Sequence, residues 1–86
     1  SRASRPAPAR LADRLLELAW EQGAPGRPAA VVTLPGTKSD LARTLGMTPE
    51  TLSRLLRRWR DDAVVRVDRR EVALLAPDVL QEYAER

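Results

Sequence analysis

Apolar residues recur along this chain with two different periods, and the changes between them mark out its elements. From Arg10 to Gln22, Leu11, Leu15, Leu18 and Ala19 fall at helical spacing with Ala12 and Leu16 beside them, which predicts an amphipathic helix. Gly23 ends it, and Ala24-Pro25-Gly26-Arg27-Pro28 reads as loop. Ala30-Val31-Val32-Thr33-Leu34 reads as a short strand, closed by Pro35-Gly36. A second helix starts at Thr37, buries Leu41, Ala42 and Leu45, and stops at Gly46. A third runs from Pro49 to Arg60 with Leu52, Leu55, Leu56 and Trp59 as its apolar stripe, and Asp61-Asp62 closes it. Val64–Val67 and Val72–Leu75 are strand-like, and Asp68-Arg69-Arg70-Glu71 joins them as a hairpin with a charged tip. Ala76-Pro77-Asp78 opens a last short helix through Tyr83 toward Arg86. The predicted order is helix, strand, helix, helix, hairpin, helix, without internal repeats.

These elements amount to one small domain over residues 10–86. Residues 1–9, Ser-Arg-Ala-Ser-Arg-Pro-Ala-Pro-Ala, read as a linker or a cloning remnant. With 43% hydrophobic and 31% charged residues the composition is globular rather than disordered. The N-terminal arginines have no apolar segment behind them, and no run approaches a membrane span, so no membrane association and a cytoplasmic location are expected.

The chain contains neither cysteine nor histidine. Disulfides, zinc fingers, thiol nucleophiles and histidine bases are therefore excluded within these residues. No pair of carboxylates occupies an apolar setting that would tune it for acid/base work, so enzymatic activity is not expected. No cofactor is expected for this domain either.

The net charge of +3 is modest, but its distribution is uneven. Leu41 to Arg70 carries eight arginines against four acids, whereas Glu71 to Arg86 carries four acids against one arginine. The positive field thus sits mid-chain, where it suits a polyanion or makes a solvated, ion-paired helical face.

The stretch from Thr37 to Arg60 is the most informative. Thr37 is a good N-cap, and Asp40 three residues later can return a bond to its backbone N–H. Thr48 caps the next helix, Pro49 takes the first helical position where a missing N–H costs nothing, and Glu50 complements the dipole. About three residues separate the helices, with Gly46 in the bend. Ala42 is small enough for a close crossing, and Leu41, Leu45, Met47, Leu52 and Leu55 fill the space between. This predicts a helix-turn-helix, and the trailing hairpin makes it a winged variant. The fold class is therefore α+β, mostly α with a small β-hairpin.

The segment Thr37-Lys38-Ser39-Asp40-Leu41-Ala42-Arg43-Thr44-Leu45-Gly46-Met47-Thr48-Pro49-Glu50-Thr51-Leu52-Ser53-Arg54-Leu55-Leu56-Arg57-Arg58 resembles the C-terminal domain of the CRP/FNR family of bacterial transcription regulators. The resemblance extends over about Arg10 to Tyr83. Its most specific part, Glu50-Thr51-Leu52-Ser53-Arg54, resembles the Glu-x-x-Ser-Arg pattern of the FNR branch. The CRP branch has glycine at the position of Ser53 and arginine at that of Pro49, so a CRP-type DNA site is disfavoured.

Glu50, Ser53 and Arg54 lie at i, i+3 and i+4 and share a face opposite the apolar stripe. An arginine can bond guanine O6 and N7 together, a glutamate can accept from cytosine N4, and a serine contacts bases less specifically. The bland alternatives are a dipole complement for Glu50, a phosphate contact or ion pair for Arg54 and a neutral surface position for Ser53. The resemblance makes Thr37, Ser39, Thr48 and Thr51 phosphate-positioning hydroxyls, although Thr37 and Thr48 serve as caps regardless. Arg43 and Arg57 are further backbone-contact candidates. At the wing, Arg69 and Arg70 could touch phosphate or form a solvated turn. Trp20 and Trp59 both fall on apolar faces and are expected in the core.

The resemblance implies a sequence-specific binder of double-stranded DNA, acting as a homodimer on an inverted repeat with half-sites about 34 Å apart. It implies half-sites like TTGAT/ATCAA, and a contact with RNA polymerase at the Gly23–Pro28 loop, which reads equally as a plain connector. An effector would bind a sensing domain outside these residues. Beside an enzyme, for which no constellation of residues exists, the rival readings are a winged helix used for protein contact and an RNA binder. The polar face at Glu50, Ser53 and Arg54 counts against the first, and the lack of exposed aromatics for stacking bases counts against the second.

Overall fold

A computed structural model describes residues 4–86. Its elements are α1 (Ala7–Gln22), β1 (Val31–Thr33), α2 (Lys38–Thr44), α3 (Pro49–Asp61), β2 (Val65–Asp68), β3 (Glu71–Leu74) and α4 (Pro77–Ala84). The strands form one antiparallel sheet in the order β1-β3-β2. The hairpin expected from the sequence is β2–β3, with Asp68 opposite Glu71. β1 adds to its far side, Val32 facing Val72.

The core gathers the faces that the periodicity singled out. Leu11, Ala12, Leu15, Leu18 and Ala19 of α1 meet Val32, Leu34, Leu41, Ala42, Leu45, Leu52, Leu56, Trp59, Val65, Val72, Leu74 and Leu80 in one buried cluster. Trp59 is the largest fully buried side chain. Its ring lies 5.2 Å from that of Tyr83, tilted by 47°, which ties α3 to α4.

Two local expectations need correcting. α1 begins at Ala7, three residues before the Arg10 start expected from the sequence. Proline in its first turn suits a helix start, and Ala9 is buried. Arg5 donates to the Ala84 carbonyl at the end of α4, so the residues just before α1 pack on the domain; residues 1–3 of the linker reading lie outside the described residues. The second correction is Trp20, which is 57% exposed rather than in the core. It sits at the edge of the α1 stripe, lining a surface depression together with Leu16, Ala19, Pro28, Ala29, Leu74 and residues of α4.

Gly23 ends α1 because the chain folds back on it. A Cβ there would stand 2.1 Å from the Arg27 carbonyl oxygen. The Ala29 N–H closes the same loop onto the Ala19 carbonyl.

Candidate nucleic-acid interface

α2 opens with a complete capping box: Thr37 accepts from the Asp40 N–H, and Asp40 accepts from the Thr37 N–H. Gly46, at φ +69°, closes α2 in the left-handed conformation. The Gly46 N–H reaches the Arg43 carbonyl and the Met47 N–H the Ala42 carbonyl, the bond pair of a Schellman motif. Thr48 then caps α3, accepting from the Thr51 N–H at 3.1 Å, with Pro49 next and Glu50 in the first turn. Local chemistry therefore defines the bend and both helix starts. Leu52, Leu56 and Trp59 anchor α3 to the core.

The opposite face of α3 is open. Glu50, Ser53, Arg54 and Arg57 are all exposed. Among the described residues, none of the four has a side-chain hydrogen bond or ion pair, whereas Arg58 pairs with Asp62 at 3.6 Å. Arg54 borders a shallow depression with Thr51, Leu55 and Arg58. Two unpaired guanidinium groups on one helix face stay available to an incoming anion or base edge.

The remaining candidates are more constrained. Thr48 is occupied as a cap and also donates to the Thr51 hydroxyl oxygen at 3.1 Å. Thr51 is half-buried, and among the described residues its own hydroxyl proton meets no acceptor. Thr37 is engaged by Asp40, while Ser39 is exposed beside it. Arg43 is tied to Asp40. The Asp40 carboxyl is held below its ordinary value of 3.8, chiefly by the Thr37 backbone N–H, then by the Thr37 hydroxyl and the Arg43 charge.

At the wing, Arg69 is exposed on the β2–β3 turn. Arg70 is committed elsewhere, its Nε donating to the Leu34 carbonyl at 3.0 Å. Lys38, which sequence reasoning passed over, donates to the Arg69 carbonyl at 3.1 Å. That bond brings the start of α2 and the wing tip side by side. A cation in the first turn of a helix opposes the dipole, and this was the available signal.

A Crp-like helix-turn-helix domain model matches residues 9–83. The chain belongs to that family. It is accordingly a DNA-binding domain of transcription regulators and not an enzyme. Solved structures agree. FixK2 from Bradyrhizobium japonicum is 26% identical with a TM-score of 0.80, the match covering 93% of this chain and 39% of that one. The CO-dependent transcription factor CooA from Carboxydothermus hydrogenoformans is 27% identical at a TM-score of 0.77, covering 91% and 36%. A CRP/FNR-family transcriptional regulator from Thermus thermophilus is 25% identical at 0.78, covering 98% and 43%.

No curated protein sequence matches the chain. This Crp-like domain spans well under half the length of those three proteins. Among its described residues, no helix is long and apolar enough to cross a membrane.

Proposed function

We infer that this Crp-like domain reads double-stranded DNA by sequence, laying α3 in the major groove with Glu50, Ser53 and Arg54 against base edges. The observation that carries this reading is the exposed, unpaired state of Arg54 on a helix whose opposite side is locked into the core. A major groove about 12 Å wide accepts a helix, and a guanidinium there can bond guanine O6 and N7 at once. Arg57 and Arg69, with the hydroxyls of Ser39 and Thr51, supply charge and donors for phosphates and set the register. Thr37, Thr48 and Arg43 serve the helices first and reach phosphate only by sharing or giving up their present bonds.

In the whole protein the domain would act as one half of a homodimer on an inverted repeat with half-sites like TTGAT/ATCAA. The exposed loop over residues 23–28 would be the surface offered to RNA polymerase. The sensed effector would bind elsewhere in the protein, with no cofactor in this domain.

Selection of bound molecules from a pool of random duplexes tests the reading. Enrichment of half-sites containing the TTGAT/ATCAA core is expected. Enrichment of unrelated sequences contradicts the base contacts assigned to α3. Failure to bind any duplex at low salt contradicts DNA recognition altogether and favours a protein-binding winged helix.

A further inference from the structure

Lys38 stands where helix electrostatics disfavour a cation. It is the first residue of α2, and the exposed N–H groups of a first turn favour anions. It is also the only lysine among fifteen basic residues. Its ammonium points out of the helix and donates to the Arg69 carbonyl oxygen, 31 residues further along the chain.

That carbonyl belongs to a turn held in an unusual conformation. Arg69 has φ +57°, a left-handed backbone that a residue with a Cβ keeps only where its surroundings impose it. The neighbouring Arg70 is fixed twice to Leu34. Its carbonyl accepts from the Leu34 N–H at 2.8 Å, and its guanidinium donates to the Leu34 carbonyl at 3.0 Å. Leu34 is fully buried. The two adjacent turn residues are therefore anchored side by side, Arg70 by the core through Leu34 and Arg69 by Lys38, so freeing Arg69 loosens the bonds that Arg70 makes to Leu34.

We propose that Lys38 is a positioning residue that sets the wing against the start of α2, so that Arg69 and the hydroxyls beside Lys38 form one phosphate-facing surface. It acts through the Arg69 backbone, as a strut. A compact ammonium on a flexible stem suits a single carbonyl acceptor. The phosphate-facing part rests on the function proposed above; the strut itself does not.

The test has one arm without DNA and one with it. In the 86-residue chain without DNA, Lys38→Met keeps the stem and removes the ammonium. Amide exchange at Leu34, whose N–H is held by Arg70, is then expected to quicken about three- to tenfold, with exchange in α1 unchanged and Lys38→Arg close to the parent protein. Unchanged exchange at Leu34 overturns the strut.

In the second arm, affinity for a random-sequence duplex is measured for Lys38→Met, Arg69→Ala and the double variant. Each single change should weaken binding severalfold, and the double variant should be no weaker than the worse single one. Losses that multiply instead would make Lys38 a direct phosphate contact and overturn its action through the wing. If Leu34 exchange responds while no variant or parent protein binds duplex, the strut stands and the DNA reading falls.

Discussion

Thr37 and Asp40 hold each other reciprocally, each side chain bonding the other's backbone N–H at 3.0 and 2.9 Å. This pair opens α2 just where the chain leaves Leu34 and the wing tip, so it fixes the entry of the whole helix-turn-helix. Thr37→Ala should cost about 0.5–2 kcal/mol of stability. Because the folded-state carboxyl of Asp40 is held below 3.8, its contribution is present above that pH. It is lost as pH falls through the lowered folded value. Thermal melting across the acid range should show a steeper decline for the parent chain than for Asp40→Asn. Parallel pH profiles would argue against the capping carboxylate.

Ala63 ends α3 with φ +57°, and the bonds from Ala63 N–H to Arg60 and from Val64 N–H to Trp59 repeat the Schellman pattern seen at Gly46. Here the left-handed residue carries a Cβ. Relief of about 1–2 kcal/mol of conformational strain, less the extra chain entropy of glycine, leaves Ala63→Gly more stable by about 1 kcal/mol. In a domain this size that raises Tm by about 4–8 °C, readable by circular dichroism. A fall in Tm would mean that the Ala63 methyl group makes a compensating contact.

The two tryptophans should behave oppositely. Trp59 is 1% exposed and packs on Tyr83, so Trp59→Ala should cost about 3–5 kcal/mol, enough to unfold a domain this small. Trp20→Ala, at a largely exposed position, should cost only about 0.5 kcal/mol. Denaturant titrations followed by far-ultraviolet circular dichroism separate them, and equal losses would place Trp20 back in the core.

The sequence was most informative where structure is decided within a few residues. Thr37 with Asp40, Gly46, and Thr48 with Pro49 are local chemistry, and each does in the fold what its spacing predicted. Features that depend on distant segments were not readable. Trp20 shares helical spacing with Leu16, yet which edge of the α1 stripe is covered depends on where α4 and the Pro28 loop settle. The pairing of β1 with β3 joins segments some 40 residues apart, and nothing in Val31–Thr33 names its partner. Ala63 and Arg69 take left-handed conformations without the glycine that would have announced them.

The candidate site divides along the same line. The outward face of Glu50, Ser53 and Arg54 follows from helical periodicity alone. The bonds of Arg70 to Leu34 and of Lys38 to Arg69 are tertiary and only the fold displays them, whereas the Asp40–Arg43 pair, at i and i+3, was open to a reading of the spacing.

The central claim is that Arg54 meets a base edge, and binding of Arg54→Ala to the best selected duplex tests it most directly. Loss of a bidentate guanine contact should cost about 1–3 kcal/mol. That corresponds to about a 5- to 150-fold rise in Kd. Discrimination should also relax at one guanine position, while Arg57→Ala weakens all duplexes alike. Unchanged affinity and unchanged base preference in Arg54→Ala would contradict the account.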